Sequence, residues 1–233
     1  MSSKYTIWID GLRPNTTYLL KMRGYNKYGF GDWTTVYSLV TKLTSFEFKS
    51  CVVKEAAMKN AVFEILCKKL AQSRAANNES SQFVLRRIFS SEQQQTFSSK
   101  RFHEKCDGKS RTLILCESEY GNVFGGYTDL MWSAPKVDKW RNDKNAFLFL
   151  LRNEKKQDVN RVFDCVDPYN ATRSNINSGP SFGAGFDLFL CDNCTKSRNS
   201  YSTPKSYDFG NPAVAIGGKK NFKIKSFDVY CVQ

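Results

Sequence analysis

The chain has 233 residues, 41% hydrophobic and 24% charged, ordinary values for a folded protein long enough for one or two domains. Its longest apolar runs, such as Ala146–Leu151, are far too short to be membrane-crossing helices. Lys and Arg number 35 against 22 Asp and Glu, and the resulting charge of +13 is scattered, with small concentrations at 100–111, 152–156 and 219–225. Such a scatter speeds encounters with acidic surfaces in general and selects none of them.

The opening residues Met1–Lys4 run straight into strand-like text and carry no apolar core of a signal peptide. Tyr5, Ile7 and Ile9 alternate, and Gly11-Leu12-Arg13-Pro14 turns the chain. Tyr18, Leu20 and Met22 form a second alternating set, Tyr25–Gly29 turns again, and a third run extends from Trp33 to Val40. The string Leu12-x-Pro14-x-Thr16-x-Tyr18, followed by Asn26, Gly29 and Gly31, resembles the last three strands of a fibronectin type III domain. That resemblance implies that Tyr18 is the tyrosine-corner residue, and that residues 1–42 are the C-terminal half of such a domain. Half a sandwich exposes an open edge and an apolar face, so residues 1–42 are expected to form no stable sandwich alone. Met1 then reads as a fragment boundary or an internal start of a longer protein.

Residues 50–76 read as a helix, with Val52, Ala56, Phe63, Leu66 and Leu70 near helical spacing and lysines between them. Polar, turn-prone residues from Gln72 to Ser81 end it. Residues 43–82 thus form a helical connector, expected to open the domain that follows at 83–233. In that domain Phe83–Phe89 is a first strand, and Ser98–Cys106 a short helix that stops at Asp107-Gly108. Thr112–Cys116 and Val123–Tyr127 flank Tyr120-Gly121-Asn122, a hairpin signal. Ala146–Leu151 is apolar at every position and predicts a central strand covered on both faces. Phe186, Leu188 and Leu190 alternate around Asp187 and Phe189. Phe222 and Ile224 occupy even positions but Phe227, Val229 and Cys231 odd ones, which predicts a bulge near Ser226.

Six ordered blocks now stand out. Phe102-His103-x-x-Cys106-Asp107-Gly108 is followed by Val123-Phe124-Gly125-Gly126-Tyr127, then by Trp132-Ser133 and Asn145-Ala146-Phe147. Gly179-Pro180-Ser181-Phe182-Gly183-x-Gly185-x-Asp187-Leu188 and Asp228-Val229-Tyr230 complete the set. In order and spacing residues 83–233 resemble the TLDc domain. The resemblance implies an α+β fold, a two-sheet antiparallel β-sandwich with short flanking helices. It also implies a non-catalytic interaction module that needs no cofactor or metal. The activities implied are protection against oxidative stress and, for several members, binding of a protein partner, the peripheral sector of the vacuolar-type proton ATPase. A cytoplasmic location follows, with organelle membranes reached through the partner. The chain departs from the family pattern after its first strand, where Ser90–Phe97 lacks the usual glycine, and at Asp228, where glutamate is commoner.

The rival reading is thiol chemistry. Eight cysteines at irregular spacing do not form a compact disulfide framework and favour a reducing, intracellular setting. Four Asn-x-Ser/Thr triplets, at Asn15, Asn78, Asn170 and Asn193, keep secretion open. Cys191-Asp192-Asn193-Cys194 has the spacing of a redox dithiol, but polar loop text rather than a helix follows it. His103 and Cys106 stand three apart on the short helix, where an imidazole could favour thiolate and a peroxide-sensitive cysteine. The bland reading gives His103 a structural hydrogen bond. The glycine block lacks the Gly-Lys-Ser/Thr and the following helix of a phosphate loop. It reads instead as a tight turn that tucks Phe182 into the core. Lys219, Lys220, Lys223 and Lys225 could meet phosphates from one face of the last strand, which keeps nucleic acid as a minor alternative.

Overall fold

The computed structural model describes residues 17–40, 48–76, 83–93, 97–211 and 215–233. The chain divides into two units, Met1–Phe46 and Glu47–Gln233.

In the first unit β1 (Thr17–Leu20) pairs antiparallel with β4 (Tyr37–Val40), while β2 (Tyr25–Asn26) and β3 (Gly29–Phe30) form a small hairpin between them. The hairpin turn has a local cause: the side chain of Asn26 accepts the Tyr28 N–H at 2.8 Å, and Gly29 takes φ +123°. Two bonds between Met22 and Thr34, Met22 N to Thr34 Oγ1 and Thr34 N to Met22 O, carry the pairing inward from β1 and β4. Arg23 lies between the rings of Phe30 and Trp33, 3.8 and 4.6 Å from their centroids. The expected alternation of Tyr5, Ile7 and Ile9 lies outside the described residues, and the third run is a strand only from Tyr37.

The second unit opens with α1 (Ala56–Ala76), six residues later than the sequence periodicity places the helix start. Residues 48–53 are held otherwise: the Ser50 hydroxyl accepts the N–H groups of Val52 and Val53, and Cys51 N donates to the carboxylate of Asp228. Then come β5 (Leu85–Ser90), α2 (Ser99–Cys106), β6 (Thr112–Ser118) and β7 (Val123–Thr128). The expected hairpin joins β6 and β7, its turn closed by Gly121 N donating to Ser118 O with Gly121 at φ +86°. Next are β8 (Lys139–Arg141), β9 (Phe147–Arg152), β10 (Asp158–Asp164), β11 (Thr172–Ser174), β12 (Ser178–Phe182) and β13 (Leu188–Cys191). The last strands are β14 (Ser200–Tyr201), β15 (Asn221–Phe222) and β16 (Ile224–Val232).

Two six-stranded antiparallel sheets result, in the orders β10-β9-β7-β6-β16-β5 and β15-β14-β13-β12-β11-β8. Both feed one core: Ile114, Cys116, Phe124, Leu148 and Phe227 from the first meet Phe182, Leu188, Leu190 and Phe222 from the second. This is the α+β sandwich that the family resemblance implies. The first sheet is buried on its other face as well, where Leu113, Leu115, Phe147, Phe149 and Tyr230 are covered by α1 and residues 48–53. Hence β9 is apolar along its length, although it lies second from an edge rather than at the centre. Strand β16, last in sequence, sits between β6 and β5, and its register slips between Ile224 and Ser226 as the change of phase predicts. The lysines of residues 219–225 do not share one strand, because Asn221–Phe222 belongs to the second sheet and Ile224–Val232 to the first.

Candidate functional site

The family-type residues converge from three segments. On α2, whose N-terminus is capped by the Ser98 hydroxyl, Phe102 is buried edge-on to Trp132, which is edge-on to Phe182. His103 is also buried, with Nδ1 2.7 Å from Asp107 Oδ1 and Nε2 2.9 and 3.1 Å from the carbonyls of Asn175 and Ser178. Its imidazole is thus engaged at both nitrogens and ties the end of α2 to the β11–β12 hairpin. Gly108, at φ +71°, donates its N–H to the Trp132 carbonyl, and Trp132 Nε1 donates to Thr112 Oγ1 at 2.8 Å. Cys106 is fully buried, and burial pushes its thiol well up from the ordinary value. Such a group stays neutral near pH 7 and is a poor nucleophile.

The second block is set by closeness of packing. A Cβ on Gly125 would lie 1.8 Å from the Ile114 carbonyl oxygen, and one on Gly126 would strike the Leu148 and Phe182 side chains. Phe124 enters the core, whereas Tyr127 stacks on Phe147 at 5.3 Å and donates its hydroxyl to Asp129. Asn145 Nδ2 donates to the other oxygen of Asp129. Buried Asp143 accepts from Thr128 Oγ1 at 2.6 Å and from the Asp129 and Asn145 N–H groups.

The third block is organised by Asp187. This carboxylate is fully buried and accepts backbone N–H bonds from Lys205 at 2.7 Å and from Ser206 and Tyr207 at 2.9 Å. Burial raises its pKa, against the opposing pull of those three donors. Gly183 (φ +77°) makes room for the carboxylate, while Gly179 and Gly185 pack against the Phe97 ring and Lys205. Pro180 is buried beside them on β12. Phe186 departs from the expected alternation. Its φ of +57° and the bond from its N–H to the Gly183 carbonyl turn its ring toward Phe189 and Tyr201, not onto the face of Leu188 and Leu190.

The Cys191–Cys194 segment is a turn in which Asn193 at φ +53° accepts from the N–H groups of Lys196 and Ser197. Cys191 closes strand β13, so no helix N-terminus faces either sulfur. Cys194 is fully buried and its thiol is raised well above the ordinary value by burial. Cys191 receives the Ser200 hydroxyl at 3.4 Å. None of the three candidate thiols is joined in a disulfide. The turn braces its surroundings: Asp192 accepts the Ser99 N–H at the start of α2, and the Cys194 carbonyl accepts the Ile224 N–H.

Sequence reasoning missed a buried polar knot at Asp228. This carboxylate, fully buried on β16, accepts from Ser50 Oγ and Cys51 N at 2.8 Å and from Tyr230 OH at 3.0 Å. Its signal, an acid in an otherwise apolar strand, was visible, but its partners Ser50 and Cys51 lie 178 and 177 residues away in sequence. The lysines near β16 are also occupied: Lys225 pairs with Glu117 at 2.7 Å, and Lys223 and Arg198 share Glu119. Among the described residues, no group of three His, Cys, Asp or Glu side chains could hold a metal ion, and no helix is long and apolar enough to cross a membrane.

An α+β sandwich with these glycine-centred contacts defines a TLDc-type domain. The sequence model of that family, the TLDc domain, matches residues 56–233, and the chain belongs to it. The match begins at the first residue of α1, so the helix falls inside the family domain. No curated protein matches the chain.

Proposed function

We propose that the TLDc unit is a non-catalytic protein-interaction module, that its partner is the peripheral sector of a vacuolar-type proton ATPase, and that it contributes to resistance against oxidative stress. The observation that carries this reading is how the motif residues are used. His103, Asp107, Asp187 and the block glycines each hold backbone or core in place, and Cys106 is sealed from solvent. A reaction centre needs a reactive group open to substrate, and here the groups with chemistry are closed. Membership of the TLDc family supports the choice of partner. The module acts in the cytoplasm and meets organelle membranes through that partner.

The test is to mix the purified chain with the detached peripheral sector and follow complex formation and ATP hydrolysis. A stable complex or altered hydrolysis is expected; neither effect at micromolar protein refutes the reading. Steady peroxide consumption that disappears on substituting Cys106, Cys191 and Cys194 would establish thiol chemistry in its place.

A further inference from the structure

Exposed apolar side chains are concentrated in the first unit. Of the fifteen large hydrophobic residues that stand exposed among the described residues, nine fall within 17–40, so the clustering is a local property of this unit. Tyr25 is 72% exposed, Tyr28 85%, Phe30 63% and Trp33 56%. Three of these rings are contiguous. Tyr25 and Phe30 face each other across the β2–β3 pair with centroids 4.7 Å apart, and the Arg23 guanidinium joins Phe30 to Trp33. Tyr28 stands in the turn between the two strands, with Lys27 Nζ 4.9 Å from its ring centroid.

The backbone sets this arrangement. Met22 bonds to Thr34 through both its N–H and its carbonyl, and the Gly24 carbonyl accepts the Gly31 N–H. Arg23 is therefore fixed between two paired positions, with its guanidinium against the rings. The charge on the hairpin is positive. Lys21, Arg23 and Lys27 are all exposed, and no carboxylate among the described residues pairs with them. Asp32 is the one acid in residues 17–40.

We propose that this aromatic, cation-bearing hairpin docks on an anionic lipid bilayer. Trp, Tyr and Phe beside Lys and Arg is the composition that settles at a membrane–water interface, with rings at the headgroup boundary and cations on the phosphates. The charge fits: three unpaired cations face a negative surface, with Asp32 alone to oppose them. Arg23 is held within the aromatic band, where its fork can give two N–H groups to one phosphate. The rings that anchor a protein contact sit in sheltered pockets, whereas these stand on a narrow hairpin, each more than half exposed. Single-stranded nucleic acid needs a series of open stacking faces. Here Arg23 takes one face of Phe30 and of Trp33, and Tyr25 lies tilted at 49° to Phe30. The lipid contact belongs to the first unit and is independent of the partner proposed for the second.

The test sediments the full chain with sucrose-loaded vesicles of phosphatidylcholine alone, and of phosphatidylcholine mixed with phosphatidylserine. Binding should be about 10-fold or more tighter to the mixed vesicles and should weaken as salt is added. The double variant Lys21→Glu/Lys27→Glu should lose about 10-fold or more, and Trp33→Ala about 3-fold or more. Lys68→Glu on α1 should stay within about 2-fold of the wild type. Tryptophan emission should shift to the blue on binding and be quenched by brominated lipid, and both signals should vanish in Trp33→Phe. If Trp33→Ala fails to fold, the charge variant decides, since both of its side chains are exposed. Equal binding to the two vesicle types, an equal loss in Lys68→Glu, or no binding overturns the proposal. Tighter binding of oligothymidine, lost in the same double variant, assigns the hairpin to nucleic acid and also overturns it.

Discussion

A Cβ on Gly183 would lie 1.8 Å from Oδ2 of Asp187, so the glycine and the buried carboxylate occupy one shared space. Asp187 in turn gathers the N–H groups of residues 205–207. Gly183→Ala should therefore lose on two counts, positive φ and displacement of the carboxylate, for a cost of about 3 kcal/mol or more. Asp187→Ala strands buried donors and should cost about as much. Urea unfolding of both variants checks this, and a loss below about 1 kcal/mol would contradict the arrangement.

His103 bonds Asp107 on its own helix and two carbonyls across the hairpin. His103→Leu removes all three of these bonds at a buried site and should destabilise by about 1–3 kcal/mol. Hydrogen exchange should quicken in α2 and at residues 175–178 before it does in β6 or β7. Uniform quickening throughout the unit would count against a local tie.

Burial raises the thiols of Cys106, Cys116 and Cys194. In the unfolded chain they ionise near pH ~8.5. Above that pH the unfolded state releases protons that the folded state keeps, so stability falls as pH rises from there toward the higher folded values. The slope is up to about 1.4 kcal/mol per pH unit for each thiol. Between pH 6 and about pH 7 the three contribute almost no slope. Unfolding at pH 7.5 and 9.5 should show the fall, and Cys194→Ala should flatten it. Iodoacetamide at pH 8 should spare all three in the native chain and modify them in urea. Rapid native labelling of Cys106 or Cys194 would favour the thiol reading instead.

Asp228 joins residues 50 and 51 to β16, with Arg87 3.7 Å away. Asp228→Leu should cost about 3 kcal/mol, since it leaves the buried Cys51 N–H without its acceptor and takes away the buried carboxylate beside the Arg87 guanidinium. The amides of residues 51–53 and α1 should exchange faster, which mass spectrometry of the exchanged protein would reveal. Unchanged protection there would show that α1 is held by its apolar face alone.

Local signals in the sequence reached as far as local physics does. The Asp107-Gly108 stop, the Gly121 turn and the bulge near Ser226 each follow from a few neighbouring residues, and each is present. The start of α1 was not legible, because the bonds that hold residues 50–53 out of the helix come from Asp228 and from Ser50 itself. The face of Phe186 was misjudged because period-two counting assumes extended backbone, and a bulky residue at positive φ breaks the count. The row that Trp140, Arg173, Ser181, Phe189 and Tyr201 form across the second sheet could not be read at all. It depends on four strand registers, and those are fixed only when both sheets assemble.

Because β16 lies between β5 and β6, the strand that opens the first sheet has, among the described residues, its one neighbouring strand in Ile224–Val232. During synthesis β5 and the knot around Asp228 must wait until residue 232 has cleared the ribosome, while β6, β7, β9 and β10 can already pair as successive neighbours. Four of the six strands of the first sheet can therefore pair early, and β16 and β5 join in a late insertion, which leaves Arg86–Phe89 without a strand partner until β16 is available.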